Sequence, residues 1–204
     1  MARPSNTRER RTQIAEAMLT VMASDGYERA SIAAIARTAG LAPGLIHYHF
    51  RSKQDILLAV IEQIEMRVRE RYRTRVDQCG DEPRERLFAL IDAHVALGPD
   101  ADERAVAAWV NIGAEAVSQP RIRDAYAAVV EDSLTELSEL FAACLRHAGQ
   151  SVEPADRYAA AVMAAIEGAY QLAAVAPGSI PRGFAAPTLR QFVDGLLSAG
   201  GKSP

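Results

Sequence analysis

The sequence predicts an all-α chain of about nine helices, and three observations carry that prediction. Apolar residues recur at helical spacing in one segment after another, and no segment reads as a strand. The composition is 49% hydrophobic but only 6% aromatic, so alanine and aliphatic residues fill the core with little β-branched enrichment, which favours helix. The breaks between segments fall at glycine and proline. At 204 residues the chain suits one large domain or two small ones.

The elements follow in order. Ile14, Met18, Val21 and Met22 sit at i, i+4, i+7 and i+8, which predicts an amphipathic helix over 8–25 that stops at Asp25-Gly26. Ile32, Ile35, Ala36 and Ala39 repeat the pattern over a short second helix. Ser31 is placed to cap it, and Gly40 sits where a left-handed C-terminal cap belongs. A third short helix starts near Pro43, whose missing N–H has no partner in a first turn anyway, and ends at Phe50. Ser52-Lys53-Gln54-Asp55 resembles a capping box that opens a long fourth helix, with Leu57, Val60, Ile61, Ile64 and Val68 on its inner face. Asp81-Glu82-Pro83 opens a fifth helix and Gly98-Pro99 closes it. A sixth runs over 102–118, and Pro120 restarts the chain into a seventh that reaches Gly149. Glu153-Pro154 opens an eighth, which Pro177-Gly178 stops. A Pro/Gly-rich loop over 177–187 leads to the last helix, where Leu189, Phe192, Val193, Leu196 and Leu197 form an apolar stripe. The last few residues are expected to fray.

Bulk features narrow the function. There is no run of about 18 apolar residues, so no membrane-spanning segment and no membrane partner are expected. The N-terminus lacks the apolar core of a signal peptide. Cys79 and Cys144 cannot form a disulfide framework, so a reduced, cytoplasmic setting is expected. No cofactor is expected, because there is no phosphate-binding glycine loop. No metal is expected either: His47-x-His49 with the distant cysteines does not match a ligand spacing. An enzyme would need an acid–base pair such as Glu115 and Glu167, and nothing in the sequence places those two together. The net charge of −3 does not suggest a nucleic-acid binder, but its distribution does. Residues 1–55 carry eight basic residues (Arg3, Arg8, Arg10, Arg11, Arg29, Arg37, Arg51, Lys53) and five acidic ones (Glu9, Glu16, Asp25, Glu28, Asp55). A head of +3 on a body of −6 fits a phosphate-facing module joined to something else, the alternative being ordinary surface variation.

The short helices at 32–39 and 43–49, joined by Gly40-Leu41-Ala42, have the geometry of a helix-turn-helix, with the first helix packed across both. The stretch from Ser31-Ile-Ala-Ala-Ile-Ala-Arg-Thr-Ala-Gly40 through Leu-Ala-Pro-Gly44-Leu-Ile-His-Tyr-His-Phe50 to Arg-Ser-Lys53-Gln-Asp-Ile-Leu57 resembles the N-terminal signature of the TetR family of repressors. The resemblance covers residues 8–57. It implies a homodimer whose recognition helices enter successive major grooves of double-stranded operator DNA, with a divergent ligand-binding body. It implies a DNA-binding domain over 1–53 and an effector-binding and dimerisation domain over 54–204. Residue by residue, it implies that Ser31, His47, Tyr48, His49 and Lys53 contact the phosphate backbone, and that Pro43, Gly44 and Leu45 lie against base edges. The chemistry agrees. Hydroxyl, imidazole, phenol and ammonium groups all donate to phosphate oxygens. Gly44 lets a helix N-terminus approach closely, and that terminus favours an anion. Leu45 offers only apolar contact, as with a thymine methyl. Arg3, Arg8, Arg10 and Arg11 are expected to add phosphate or minor-groove contacts from a flexible arm. Two positions depart from the family. Ala42 stands where Ser or Thr often caps the recognition helix, at a cost of ~1 kcal/mol. His47 stands where Tyr is usual, which makes pH-sensitive binding an expectation; the alternative for His47 and His49 is surface histidines with no partner.

The predicted eighth helix carries only Asp156, Arg157 and Glu167 as charges. Tyr158, Val162, Ala165, Ala169 and Leu172 cover one face, and Met163, Ile166 and Tyr170 another. A helix apolar nearly all round must be buried on both sides. Paired with the stripe Leu189, Phe192, Val193 and Leu196, it is expected to form a four-helix interface across a two-fold axis; the alternative is that both helices fill a monomer core. Trp109 and Glu115 lie on different faces of the sixth helix. The segment from Ala108 to Pro120, with Ile166-Glu167-Gly168-Ala169-Tyr170, is similar to the C-terminal body of the choline-responsive betaine regulators. Trp109, Tyr126, Tyr170 and Glu167 are expected to line a pocket for a small organic effector, cations included, since a quaternary ammonium group favours aromatic faces and a carboxylate. The alternative is that the aromatics are core filler and Glu167 pairs with an arginine. The family resemblance implies a population shift in which the fourth helix swings on effector binding. Arg67, Arg71 and Arg75 on that helix are either a solvated face or a coupling stripe. The reading is a repressor released from a palindromic operator by its effector. An effector-independent architectural factor and an activator are the other possibilities.

Overall fold

A computed structural model describes residues 3–96 and 101–199, the side chains of 3–6 and 199 aside. The described residues form nine α-helices and no strand: α1 (Arg3–Arg29), α2 (Ile32–Ala39), α3 (Pro43–His49), α4 (Lys53–Cys79), α5 (Pro83–Val95), α6 (Glu103–Ser118), α7 (Pro120–His147), α8 (Ala155–Val175) and α9 (Ala185–Ala199). They gather into two compact units. The first comprises Met1–Met66 and Asp102–Ala128, the second Arg67–Ala101 and Val129–Pro204.

The first unit is built round α1. Ile14, Met18, Leu19, Val21 and Met22 are buried, as the helical spacing requires. Ile35 and Ala36 of α2, Ile46 and Phe50 at α3, Ile56, Leu57, Val60 and Ile61 of α4, and Ala108, Trp109 and Ile112 of α6 are buried in the same unit. Side chains also tie these helices together through backbone oxygens. Gln13 Nε2 donates to Ala39 O (2.8 Å) and Gln63 Nε2 to Thr12 O (3.0 Å). The first half of α4, all of α6 and the start of α7 therefore side with the head, so the compact unit extends past residue 53. Polar contacts add to the buried apolar ones. Arg104 reaches Glu16 and Thr20, Gln54 pairs with Gln119 (3.0 Å), and Arg121 donates to Gln54 (3.0 Å) and Asp55 (3.1 Å).

Three boundaries differ from expectation. α1 begins at Arg3, not near residue 8, so the basic N-terminal residues are helical and not a flexible arm; Pro4 falls in the first turn, where no N–H is needed. The Arg3 side chain lies outside the described residues. α9 begins at Ala185, inside the loop expected over 177–187, because Pro187 also falls in a first turn. α5 ends at Val95; the expected Gly98-Pro99 stop and the fraying C-terminus lie outside the described residues.

In the second unit Leu87, Leu90 and Ile91 of α5, Leu137, Phe141 and Leu145 of α7, Val162, Met163 and Ile166 of α8, and Leu189 and Val193 of α9 form one buried cluster. Arg84 grips Asp194 (2.8 Å) and Arg190 pairs with Asp92, so two ion pairs hold α9 on α5. This core corrects the interface expectation. Val162 and Val193 are 0% exposed, and Ala169 and Leu189 are buried as well, so these four face the protomer's own core. Tyr158 is half-buried with its ring edge-on to Phe141 (5.6 Å), and Ala165 and Leu196 are half-buried. Phe192 is 42% exposed, and Leu172 and Val175 project from α8 at 44% and 67%. α8 is the one helix among the described residues long and apolar enough to cross a bilayer, with a mean hydropathy of 1.3. Its alanines supply that hydropathy without an unbroken run of large apolar side chains. One of its faces fills the core and the other is exposed.

Gly26 breaks α1 in a conformation (φ 78°, ψ 169°) that glycine alone adopts readily. A Cβ there would meet Asn111 Oδ1 at an ordinary 3.7 Å, so a substitution carries a backbone penalty without a clash. Gly26→Ala is expected to destabilise the protein by about 1–3 kcal/mol, read by chemical denaturation, whereas Gly178→Ala, where φ is not positive and space is open, is expected to change little.

Candidate nucleic-acid interface and body residues

α2 and α3 are shaped by their ends. Ser31 Oγ accepts from Ala34 N (3.2 Å), which caps α2 and leaves the hydroxyl's own proton as a donor. Gly40 is left-handed (φ 66°, ψ 32°). Its N–H and that of Leu41 reach back to Arg37 O (3.2 Å) and Ala36 O (2.9 Å), closing α2 and reversing the chain. α3 starts at Ala42 with no side-chain cap and Pro43 in its first turn, as the sequence indicates.

Four of the residues expected to meet DNA share the exposed surface of this seven-residue helix. Pro43, Gly44, His47 and Tyr48 are exposed, Leu45 and His49 are half-buried, and Ile46 and Phe50 point into the core. Tyr48 is 79% exposed, with its ring edge-on to His49 at 5.0 Å. A phenol so exposed has no packing role within the chain. Gly44 has no positive φ, and a Cβ added to it would meet nothing within 4 Å. Neither backbone strain nor internal packing calls for glycine there.

Two basic residues are engaged within the chain instead. Arg11 Nη1 donates to His49 O (2.6 Å) and its guanidinium stacks over the Phe50 ring at 4.0 Å, capping the C-terminus of α3. Lys53 Nζ donates to Tyr27 O (2.6 Å) and Glu28 O (3.3 Å) and lies 3.9 Å over the Tyr27 ring. Burial lowers its pKa, opposed by Glu28 and Glu115. An ammonium has three donors, and two of them are spent closing the break after Gly26. Lys53 therefore has a structural part that the sequence did not disclose. Ser52 Oγ accepts from Asp55 N (3.1 Å) as a capping box requires, but the Asp55 carboxylate accepts from Arg121 and Ser52 instead of reaching back. Although burial works against it, those hydrogen bonds hold Asp55 below the usual carboxylate range.

The four expected pocket residues divide between the units. Trp109 is 5% exposed and stacks on Tyr126 with ring centroids 4.5 Å apart. Each ring thereby covers one face of the other. Glu115, on another face of α6, accepts from Gln119 Nε2 (2.6 Å). In the second unit Glu167 and Tyr170 lie one turn apart on α8, both half-buried. Tyr170 bonds to His94, a residue that sequence reasoning missed. Its hydroxyl donates to His94 O (3.1 Å) and sits 3.1 Å from His94 Nδ1. The signal was present, since His94 falls at i+3 from Ile91 and i+7 from Leu87 on the inner stripe of α5. Arg71 donates to the last carbonyls of α5, Ala96 O (2.7 Å) and Asp92 O (3.4 Å), so it is not a solvated residue.

Burial, helped by the Arg71 cation, pushes the His94 pKa down from 6.5 to about 4. The unfolded chain binds that proton more readily, so stability is full above pH 6.5 and falls as pH drops towards 4. The expected loss is at most about 3 kcal/mol. Denaturation midpoints of wild type and His94→Leu across that range check it: the variant is expected to lose this part of the acid slope.

Residues 14–60 match the bacterial regulatory proteins of the tetR family, and residues 83–198 the C-terminal region of BetI-type transcriptional repressors. The HTH-type transcriptional regulator BetI of Rhizobium meliloti (strain 1021) is 33% identical over 114 residues, 56% of this chain and 55% of that protein. The chain thus spans about half the length of the curated relatives it matches. A transcriptional regulator from Rhodococcus sp. Rha1 shares the fold with a TM-score of 0.79 at 22% identity, over 95% of this chain and 99% of that one. A transcriptional regulator from Saccharomonospora viridis, solved in complex with choline, does so with a TM-score of 0.75 at 24% identity, over 94% and 96%. The chain belongs to the tetR family of bacterial regulatory proteins and, by a match over more than half its length, to those with a BetI-type repressor C-terminal region.

Proposed function

We propose that the protein is a cytoplasmic transcriptional repressor that binds a palindromic operator as a homodimer and is released by a small organic effector. The observation that carries the reading is the outward face of α3, where Pro43, Gly44, His47 and Tyr48 are exposed while Ile46 anchors the helix from behind. Phosphate contacts are assigned to Ser31, His47, Tyr48, His49 and the remaining donor of Lys53; base-edge contacts to Pro43, Gly44 and Leu45. In function the chain divides into a reading head over 1–53 and a regulatory body over 54–204.

Dimerisation uses the face of α8 opposite the core. Ala161, Ala164 and Gly168 are small and exposed, and Leu172 and Val175 extend that face beside Phe192 of α9. Small residues allow close helix approach, and covering this face accounts for the apolarity of α8 without a membrane. A two-fold pair also supplies two recognition helices for two half-sites. The effector is assigned to the body, with Glu167 and Tyr170 as contact residues and cations as the first class to test. The choline bound to the Saccharomonospora viridis protein supports that choice.

Selection of bound duplexes from a random pool tests the reading: a palindrome is expected, and indifference to duplex DNA at low salt would sink it. Tyr48→Phe is expected to weaken binding about three- to tenfold across all sequences while leaving the salt slope unchanged, since the lost donor carries no charge. Gly44→Ala should leave thermal stability equal or higher, since alanine suits a helix better by roughly 0.5–1 kcal/mol, yet lose operator affinity. Leu172→Glu with Phe192→Glu is expected to give monomers by sedimentation and to abolish preference for a palindrome over a half-site.

A further inference from the structure

Two buried polar atoms in the second unit have no partner among the described residues, Gln150 Oε1 and His94 Nε2, and the second lies beside Tyr170. His94 Nε2 makes no hydrogen bond and is closed off from solvent. Buried side-chain nitrogens are nearly always satisfied, so an orphan in a native core needs an explanation.

The opposite edge of the ring says which nitrogen carries the hydrogen. The Tyr170 hydroxyl has one proton and donates it to His94 O at 3.1 Å. The same oxygen lies 3.1 Å from Nδ1 and can then only accept, so Nδ1 is the N–H. The reverse assignment, with the phenol donating to Nδ1, would set two acceptor oxygens against each other at 3.1 Å. The ring is uncharged, because burial and the neighbouring Arg71 disfavour the cation. A neutral imidazole has a single N–H, so Nε2 is a bare lone pair. Arg71 is turned to the carbonyls of Ala96 and Asp92.

We infer that His94 Nε2 is an acceptor held ready for a hydroxyl or N–H donor on the effector, with Tyr170 as the positioning residue that fixes the ring's tautomer. The inference rests on the effector reading above and narrows it: charge alone does not suffice, and the ligand carries a hydrogen-bond donor. A fully alkylated ammonium without a hydroxyl leaves Nε2 unpaired, and an unmade buried hydrogen bond is costly.

Two experiments decide it. In ¹⁵N-histidine spectra of the free protein, assigned with His94→Leu, the Nδ1–H tautomer with unprotonated Nε2 is expected near neutral pH. An Nε2–H tautomer or an imidazolium overturns the inference with or without a ligand. In calorimetric titrations choline, which has a hydroxyl, is expected to bind about tenfold more tightly than its O-methyl ether or tetramethylammonium. His94→Leu and Tyr170→Phe should reduce that ratio towards one while leaving the fold intact by circular dichroism. Equal binding of choline and its ether by wild type means that a resident water serves Nε2, and overturns the inference. If none of the three cations binds, the cation class is wrong; the tautomer then stands or falls on its spectrum, and neutral alcohols such as 1,2-propanediol against their ethers repeat the comparison.

Discussion

A helix of seven residues cannot hold itself in water: its few internal hydrogen bonds do not repay the ordering of its backbone. α3 is such a helix, with neither a side-chain cap at Ala42 nor a hydrophobic face of any length. Its existence depends on what is behind it. Ile46 and Phe50 are buried, Gly40 turns the chain so that α3 leaves α2 at the required angle, and Arg11 satisfies a terminal carbonyl while covering Phe50. The other residues of the helix are thereby relieved of structural duty, which is why four of them can face outward.

The same logic sorts the basic residues of the head. Net positive charge over 1–55 does not mean that every cation faces phosphate. Arg11 and Lys53 terminate helices by donating to carbonyls, and Arg121 and Arg104 neutralise acids within the unit. Lys53, half-buried over the Tyr27 ring, contributes stability that salt screens less than an exposed pair, because it is partly withdrawn from water. Lys53 is therefore a poor residue from which to read DNA contact, since replacing it also reopens the break after Gly26. Tyr48 has no such internal duty and reports on the interface more cleanly.

What was legible in the sequence follows from the range of each interaction. Gly26 and Gly40 were readable as stops because the conformations they adopt exclude other residues locally. The helical stripes of α1, α2 and α4 were readable because burial repeats every turn. Pro187 misled because proline was read as a breaker, although it is at home in a first turn. Lys53 to Tyr27 and Arg11 to His49 span 26 and 38 residues and leave no local signature. α8 misled in a different way. A helix apolar on all sides announces that two faces will be covered, but not which face meets its own core. Val162 and Ala169 went to the interior, whereas the small residues Ala161, Ala164 and Gly168 stayed outside.

The polar residues of the second unit extend that distinction. An apolar core tells little about a ligand, because its residues are chosen for volume. A neutral histidine with a buried ring nitrogen at the edge of such a core is a cost, since desolvation penalises its charge and an unpaired nitrogen penalises its burial. Leucine at 94 would fill the α5 stripe with Leu87 and Ile91 and avoid both penalties. Tyr170 could likewise be phenylalanine, were its hydroxyl not holding the imidazole at two points. Two residues that each give up stability in favour of one fixed lone pair are better accounted for by what that lone pair receives than by packing. Glu167, one turn before Tyr170 on the same helix, belongs to the same stripe. In this body the informative residues are the polar ones that a core by itself would not select.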